Sequence, residues 1–144
     1  MSTRCRIAKK NADGTFDSIY SHWDGYPQWV GNVLYHHYTD PNKINALLDL
    51  GDISSLGEDI GEKHNFDGNH EGIVNAYGRD RGEKNVDAKR GTSFEELAKL
   101  VENGWGEYLY VFDEGVWKFC PIDKLQPDNY GCMKVMTEED INRE

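Results

Sequence analysis

Tyr20-Ser21-His22-Trp23-Asp24-Gly25-Tyr26-Pro27 stands where a strand-like run gives way to a helix-like one. Before it, Phe16, Ser18 and Tyr20 fall on one face and Ile19 on the other, the period of a strand. After it, Trp29, Val30, Val33, Leu34, His37 and Tyr38 recur at helical spacing between Gln28 and Tyr38. Gly25 and Pro27 punctuate the change, because glycine frees the backbone and proline removes a ladder donor. The octapeptide is thus a corner on which side chains from two kinds of element converge.

Upstream of the corner, residues 4–9 place Cys5, Ile7 and Lys9 on one side. Asn11-Ala12-Asp13-Gly14 reads as a turn, since Asp-Gly supplies the positive φ of a tight hairpin. A hairpin over residues 3–22 follows. Downstream, Asp40 caps a second helix with Pro41 at its first position. Ile44, Leu47 and Leu48 form its buried stripe and Gly51 closes it. Residues 52–57 read as a turn-like link, with Ser54 and Ser55 as turn residues, and residues 58–72 as a long loop without periodicity. Residues 73–77 read as a short strand, and residues 78–91 as a charged, glycine-punctuated stretch.

Thr92-Ser93 caps a helix whose core face is Phe94, Leu97, Ala98, Leu100 and Val101, ended by Gly104. Residues 108–112 and 116–122 flank Asp113-Glu114-Gly115, a second hairpin that sets Tyr108, Tyr110 and Phe112 across from Trp117 and Phe119. The pattern weakens after Pro121, and Glu138-Glu139-Asp140 is expected to fray. This order of elements implies an α+β fold. The expectation is an antiparallel sheet built from the N- and C-terminal hairpins plus a short middle strand, with about three helices packed on one face. One domain covers residues 1–125, and residues 126–144 form an irregular acidic segment.

At 144 residues the chain is the size of one domain, and its 12% aromatic content supplies the buried area that 38% hydrophobic residues would otherwise leave thin. A formal charge of -10 repels phosphates, which argues against direct nucleic-acid binding. It leaves plain solubility or a basic partner surface. Cys5, Cys120 and Cys132 are far apart in sequence and odd in number, as expected of reduced thiols. No apolar run approaches the roughly 20 residues of a membrane helix, and the basic N-terminus lacks an apolar signal segment.

Five histidines raise the question of a metal, but their spacing does not support one. His36 and His37 point about 100° apart on a helix, and His64 and His70 share a loop with no recognised ligand spacing. No metal or cofactor is implied. Glycine-rich phosphate cradles and a nucleophile elbow are absent. His22 with Asp24 and Asp80 has the residue types of an acid–base set, against which stands a structural role for all three at the strand-to-helix corner. Tyr77-Gly78-Arg79-Asp80-Arg81-Gly82-Glu83 offers two guanidinium forks suited to a phosphate or carboxylate. Read blandly, its charges pair with each other in a solvated loop. Tyr20, Trp23, Tyr26 and Tyr77 would supply stacking faces. Forks and rings serve a nucleotide and a protein hot spot equally well. The candidate ligand- or partner-binding set is therefore Tyr20, His22, Trp23, Asp24, Tyr26, Tyr77, Arg79, Asp80, Arg81 and Glu83.

Several segments together resemble a family of small phage and prophage proteins. They are Ser2-Thr3-Arg4, Ala12-Asp13-Gly14-Thr15, Ser21-His22-Trp23-Asp24-Gly25-Tyr26, His37-Tyr38, residues 50–56, residues 77–83 and Gly115-Val116-Trp117. The likeness runs over residues 2–119 in one order. It implies an origin and not a chemistry, because the family has no assigned activity. Where members carry Cys-His-Trp-Asp, this chain has Ser21, which disfavours a thiol mechanism at the corner. The resemblance implies an accessory protein acting in the host cytoplasm. Its expected partner is a host protein, plausible as part of a defence system, or a small phosphorylated ligand.

Overall fold

A computed structural model of the chain describes residues 2–143. β1 (Cys5–Lys10) and β2 (Phe16–Ser21) form the expected hairpin, paired from Cys5↔Ser21 to Lys10↔Phe16. Asn11 N–H bonds Thr15 O at 2.7 Å, and Gly14 takes the positive φ that closes the turn. The helical run after the corner begins as a π turn, Pro27–Gly31, and continues as α1 (Asn32–His37). α2 (Pro41–Asp49) starts where expected, with the Asp40 carboxylate accepting from Asn42 N–H. Gly51 follows α2 at φ 77, and a Cβ there would lie 2.2 Å from Val86 O, so only glycine fits.

The turn-like link is in fact β3 (Ile53–Ser55), so Ser54 and Ser55 are strand residues. β4 (Asn75–Ala76) is the short middle strand, and the charged stretch contains α3 (Tyr77–Arg81) and β5 (Lys89–Gly91). α4 (Phe94–Asn103) is capped by Ser93, whose hydroxyl accepts from Glu96 N–H, while the Glu96 carboxylate accepts from Thr92. β6 (Tyr108–Asp113) and β7 (Val116–Pro121) make the second hairpin, with Tyr110 opposite Phe119 and Phe112 opposite Trp117. β8 (Lys134–Val135) adds to β7.

The α+β class is as expected, and two features of the architecture differ. Among the described residues the sheet has eight strands in the order β4-β3-β2-β1-β6-β7-β8, with β5 also on β2. It is mixed rather than wholly antiparallel, because β1 pairs with β6, and β2 with β3, in parallel. Parallel neighbours need a crossover. The helices supply it: α1 and α2 carry the chain from β2 to β3, and α4 carries it from β5 to β6. The second difference follows from the first. The helices cover both faces, not one.

One core joins Cys5, Ile7, Ile19, Tyr110 and Phe119 to Leu34, Ile44 and Leu47 of α1 and α2. The other joins Ala8, Phe16, Leu109 and Val111 to Leu97 and Val101 of α4. Both share one sheet because alternate strand residues point to opposite faces. The segment after residue 125 is not a loose tail. Met133 enters the second core, while Met136 and Ile141 enter the first. The Asp140 side chain, expected to fray, accepts from Lys134 and Thr137.

Candidate functional site

The corner and α3 are neighbours, and Asp52 is what joins them. Its carboxylate accepts Tyr20 N–H at 2.9 Å and its carbonyl accepts Tyr77 N–H at 3.3 Å. The corner then continues along β3, with His22 N–H on Ile53 O and Trp23 N–H on Ser54 O. Burial first, with a smaller contribution from the Tyr77 phenol, raises the pKa of Tyr20. The sequence reading passed over Asp52. Its one local signal is the left-handed glycine before it.

At the corner Trp23 and Asp24 are exposed, while Tyr20, His22 and Tyr26 are half-buried. Tyr20 Oη and His22 Nδ1 lie 2.7 Å apart, and the Arg4 charge, just before β1, acts on both. Burial first, and the Arg4 charge second, hold the His22 imidazole below its ordinary pKa. The Trp23 ring stands edge-on to His22 at 4.8 Å and is 45% exposed. Asp24 is exposed at φ 56, and its carbonyl accepts Val30 N–H. Gly25 is buried, its N–H on Thr3 O and its carbonyl taken by Tyr110 Oη at 2.6 Å. Tyr26 is half-buried and packs 5.9 Å from the Trp29 ring.

α3 is arranged the opposite way. Arg79 points inward and uses all five guanidinium N–H donors. Nε bonds Asp80 Oδ1 (3.0 Å), Nη1 bonds Ile60 O (2.9 Å) and Gly61 O (3.1 Å), and Nη2 bonds Val74 O (2.7 Å) and Asp80 Oδ2 (3.2 Å). The Asp80 side chain is wholly shielded from solvent and also accepts from His64 N–H and Ala76 N–H. Burial raises its pKa, but Arg79 and the two amides more than reverse this, so the carboxyl lies below the usual range. Asn75 adds a clasp, donating to Phe66 O and facing His64 Nε2 with its oxygen at 3.0 Å. These residues fasten the long loop over 58–74. Arg81 ion-pairs with Glu83 and lies over the Phe66 and Tyr77 rings at 4.4 and 4.9 Å.

The acid–base set is therefore not assembled. The Asp80 carboxylate serves the loop and Asp24 lies out on the corner, while His22 faces Tyr20. Nor do the two segments line one cleft. The cavity beside Trp23 and Asp24 holds about 30 Å3, room for roughly one water. A separate groove of about 500 Å3 runs beside Gly78, Arg79 and Glu83. It is lined by Asp49, Glu83 and Asp87 against Lys84 and an Arg79 already paired with Asp80, so carboxylates outnumber the remaining cation and oppose a phosphate.

Two aromatic residues outside the expected set belong to this face. Phe66 stacks on Tyr77 at 5.5 Å. Trp105 is 78% exposed at φ 59, directly after Gly104, whose missing Cβ would sit 3.5 Å from the Tyr20 ring. The Gly-Trp-Gly setting of Trp105 is the sequence signal for a ring held outside a helix end. Among the described residues no group of three or more His, Cys, Asp or Glu converges on a point, and no helix is long and apolar enough to cross a membrane.

No protein-family model matches the chain. Comparison with curated proteins finds no match. Comparison with solved structures finds none either.

Proposed function

We propose that the chain is a small acidic phage accessory protein that works as a binding module, docking on a host defence protein in the host cytoplasm. The observation that carries this reading is the exposure of Trp23 (45%) and Trp105 (78%) around half-buried Tyr20, His22 and Tyr77. Large rings on a surface without a deep cleft suit a protein hot spot better than a small ligand. The saturation of Arg79 removes one of the two forks a phosphate would need. The formal charge of -10 suits a basic partner surface, such as one that handles nucleic acid. The phage origin rests on the resemblance in residues 2–119.

The test compares the tagged chain with its Trp23→Ala/Trp105→Ala variant in host lysate. The wild type is expected to retain one host protein that the variant loses, with retention falling as salt rises. Equal capture by both would remove the reading. A panel of nucleotides separates the alternative. A ligand sponge would show a higher melting temperature with one nucleotide, abolished by Arg81→Ala, whereas a binding module shows no shift.

A further inference from the structure

Trp23 and Trp29 are 45% and 42% exposed, and both line the small cavity beside Asp24. Val30, Val33 and Leu56 line it too, and all three belong to the first core. The cavity is thus a slot that opens between two tryptophans and rests on the core. Its backbone is fixed. Trp23 N–H bonds Ser54 O at 3.0 Å, Trp29 N–H bonds Tyr26 O at 3.0 Å, and Val30 N–H bonds Asp24 O at 3.1 Å. Both indoles also have a ring neighbour, His22 for Trp23 and Tyr26 for Trp29. A slot built in advance lowers the ordering cost of binding.

Asp24 is the one charged residue in the lining. Its side chain is exposed and takes part in none of the ion pairs among the described residues. These features select the occupant. An apolar knob would strip water from the Asp24 carboxylate and give it no partner. A phosphate or carboxylate would meet like charge. An arginine meets both demands, because its stem is apolar, its guanidinium stacks on indole faces and its fork matches a carboxylate. A space of about 30 Å3 has room for one water or one methylene and is too small for a ring. The chain itself shows the pairing. Arg143, in the C-terminal strap over residues 126–143, lies over the Trp29 ring at 4.3 Å with its Nε on Gln28 O at 2.8 Å. It lines a neighbouring groove with Asn32 and His36, and not the slot.

We propose that the slot lined by Trp23 and Trp29 receives one arginine side chain of the partner, its methylenes against the indoles and its guanidinium on the Asp24 carboxylate. The inference rests on the docking reading and names the chemistry that the docked surface must present. It fits a formal charge of -10, which draws a basic surface toward the chain.

The test titrates the full-length chain with N-acetyl-arginine amide and reads the four indole N–H signals by NMR. N-acetyl-citrulline amide, of the same shape without the charge, is the control at matched ionic strength. The Trp23 and Trp29 signals should move and saturate, with half-saturation on the order of 10 mM. Trp105, outside the slot, and Trp117, whose indole N–H is held by Tyr38 O, should stay in place. Asp24→Asn should weaken binding about tenfold. Asparagine tolerates the positive φ of residue 24, so this variant removes the charge and leaves the corner folded. No shift, an equal shift with citrulline, a shift centred on Trp105, or binding undiminished in Asp24→Asn would each overturn the proposal. Lysate capture separates it from the docking reading. A host protein held as firmly by Asp24→Asn as by the wild type would overturn the slot and leave the docking face. A positive titration without a captured protein would do the reverse.

Discussion

The corner at residues 20–27 and the segment at residues 77–83, which holds α3, both hang on Asp52 and are put to opposite uses. The corner carries Tyr20, His22, Trp23 and Tyr26 with Asp24 as its one carboxylate, while the second segment carries Arg79, Asp80, Arg81 and Glu83 with Tyr77 as its one ring. At the corner, the backbone is fixed and side chains such as Trp23 and Asp24 are left to solvent. Gly25 binds Thr3 and Tyr110 through main-chain atoms, while the Trp23 ring rests edge-on against His22 with nearly half of its surface in solvent. In α3 the side chains themselves are the fixing. Arg79 and Asp80 meet three carbonyls and two amides of the flanking chain. The lesson is that a charged motif has a direction, and direction decides whether it recognises a partner or builds the fold. An arginine with spare donors is a recognition element, and one with none is a clasp.

The largest effect that would test this contrast is at Asp80. Asp80→Asn keeps the shape but sets an amide NH2 against groups that already donate, and leaves Arg79 as a buried cation without its counter-charge. It should cost about 3 kcal/mol, read as a lower denaturant midpoint with unchanged slope. Hydrogen exchange should locate the loss in residues 58–74. If Asp80→Asn is neutral, α3 is not a clasp and its charges are free for a ligand.

At the corner the sensitive position is backbone. Gly25→Ala would bring a Cβ within 2.8 Å of Thr3 O and of Cys5 Cβ. Neither can withdraw without disturbing the start of β1, so the change should cost about 2 kcal/mol. By contrast, Trp23→Ala, two residues earlier, should stay within about 1 kcal/mol of the wild type, as an exposed ring does. It should nonetheless weaken partner capture. A large stability loss at Trp23 would make its ring part of the fold and end its candidacy as a hot spot.

How much of this was legible in the sequence differs along the same line. Both hairpins, the Asp40 and Ser93 caps and the left-handed glycines were readable, because local chemistry alone decides them. The parallel pairing of β1 with β6 was not, since it depends on where α4 sends the chain. β3 and β5, at three residues each, are too short to show a period. They exist because β2 offers them a ladder. The C-terminal strap hid for a similar reason: Met133, Met136 and Ile141 are isolated apolar residues whose burial depends on β7. In the candidate site, sequence composition located both segments but not their orientation. That three of the five donors of Arg79 would meet carbonyls from residues 60, 61 and 74 follows only once the loop is folded against it.

The smallest expected effect is in pH dependence, where the two regions should part company in different windows. For Asp80 the folded pKa lies below the unfolded value. Its contribution is present above the unfolded carboxyl range, about 3.9, and is lost as pH falls through the folded value, so the clasp yields only to strong acid. For His22 the folded pKa is also depressed, but the group is a base. Between that value and about 6.5 the unfolded chain holds the extra proton, so stability rises with pH across this window and falls as the solution is acidified into it. The geometry gives the cause. The partly buried ring sheds hydration that the imidazolium needs, and the nearby Arg4 cation adds a smaller like-charge penalty. Proton titration by NMR should place His22 below the ordinary histidine value, and Arg4→Met should move it upward. Denaturation at pH about 5.5 and about 7.5 should show a small loss at the lower pH that His22→Gln removes. A His22 that titrates at or above the ordinary value would mean that the ring is neither desolvated nor close to Arg4, and the corner would then have one more side chain free to meet a partner.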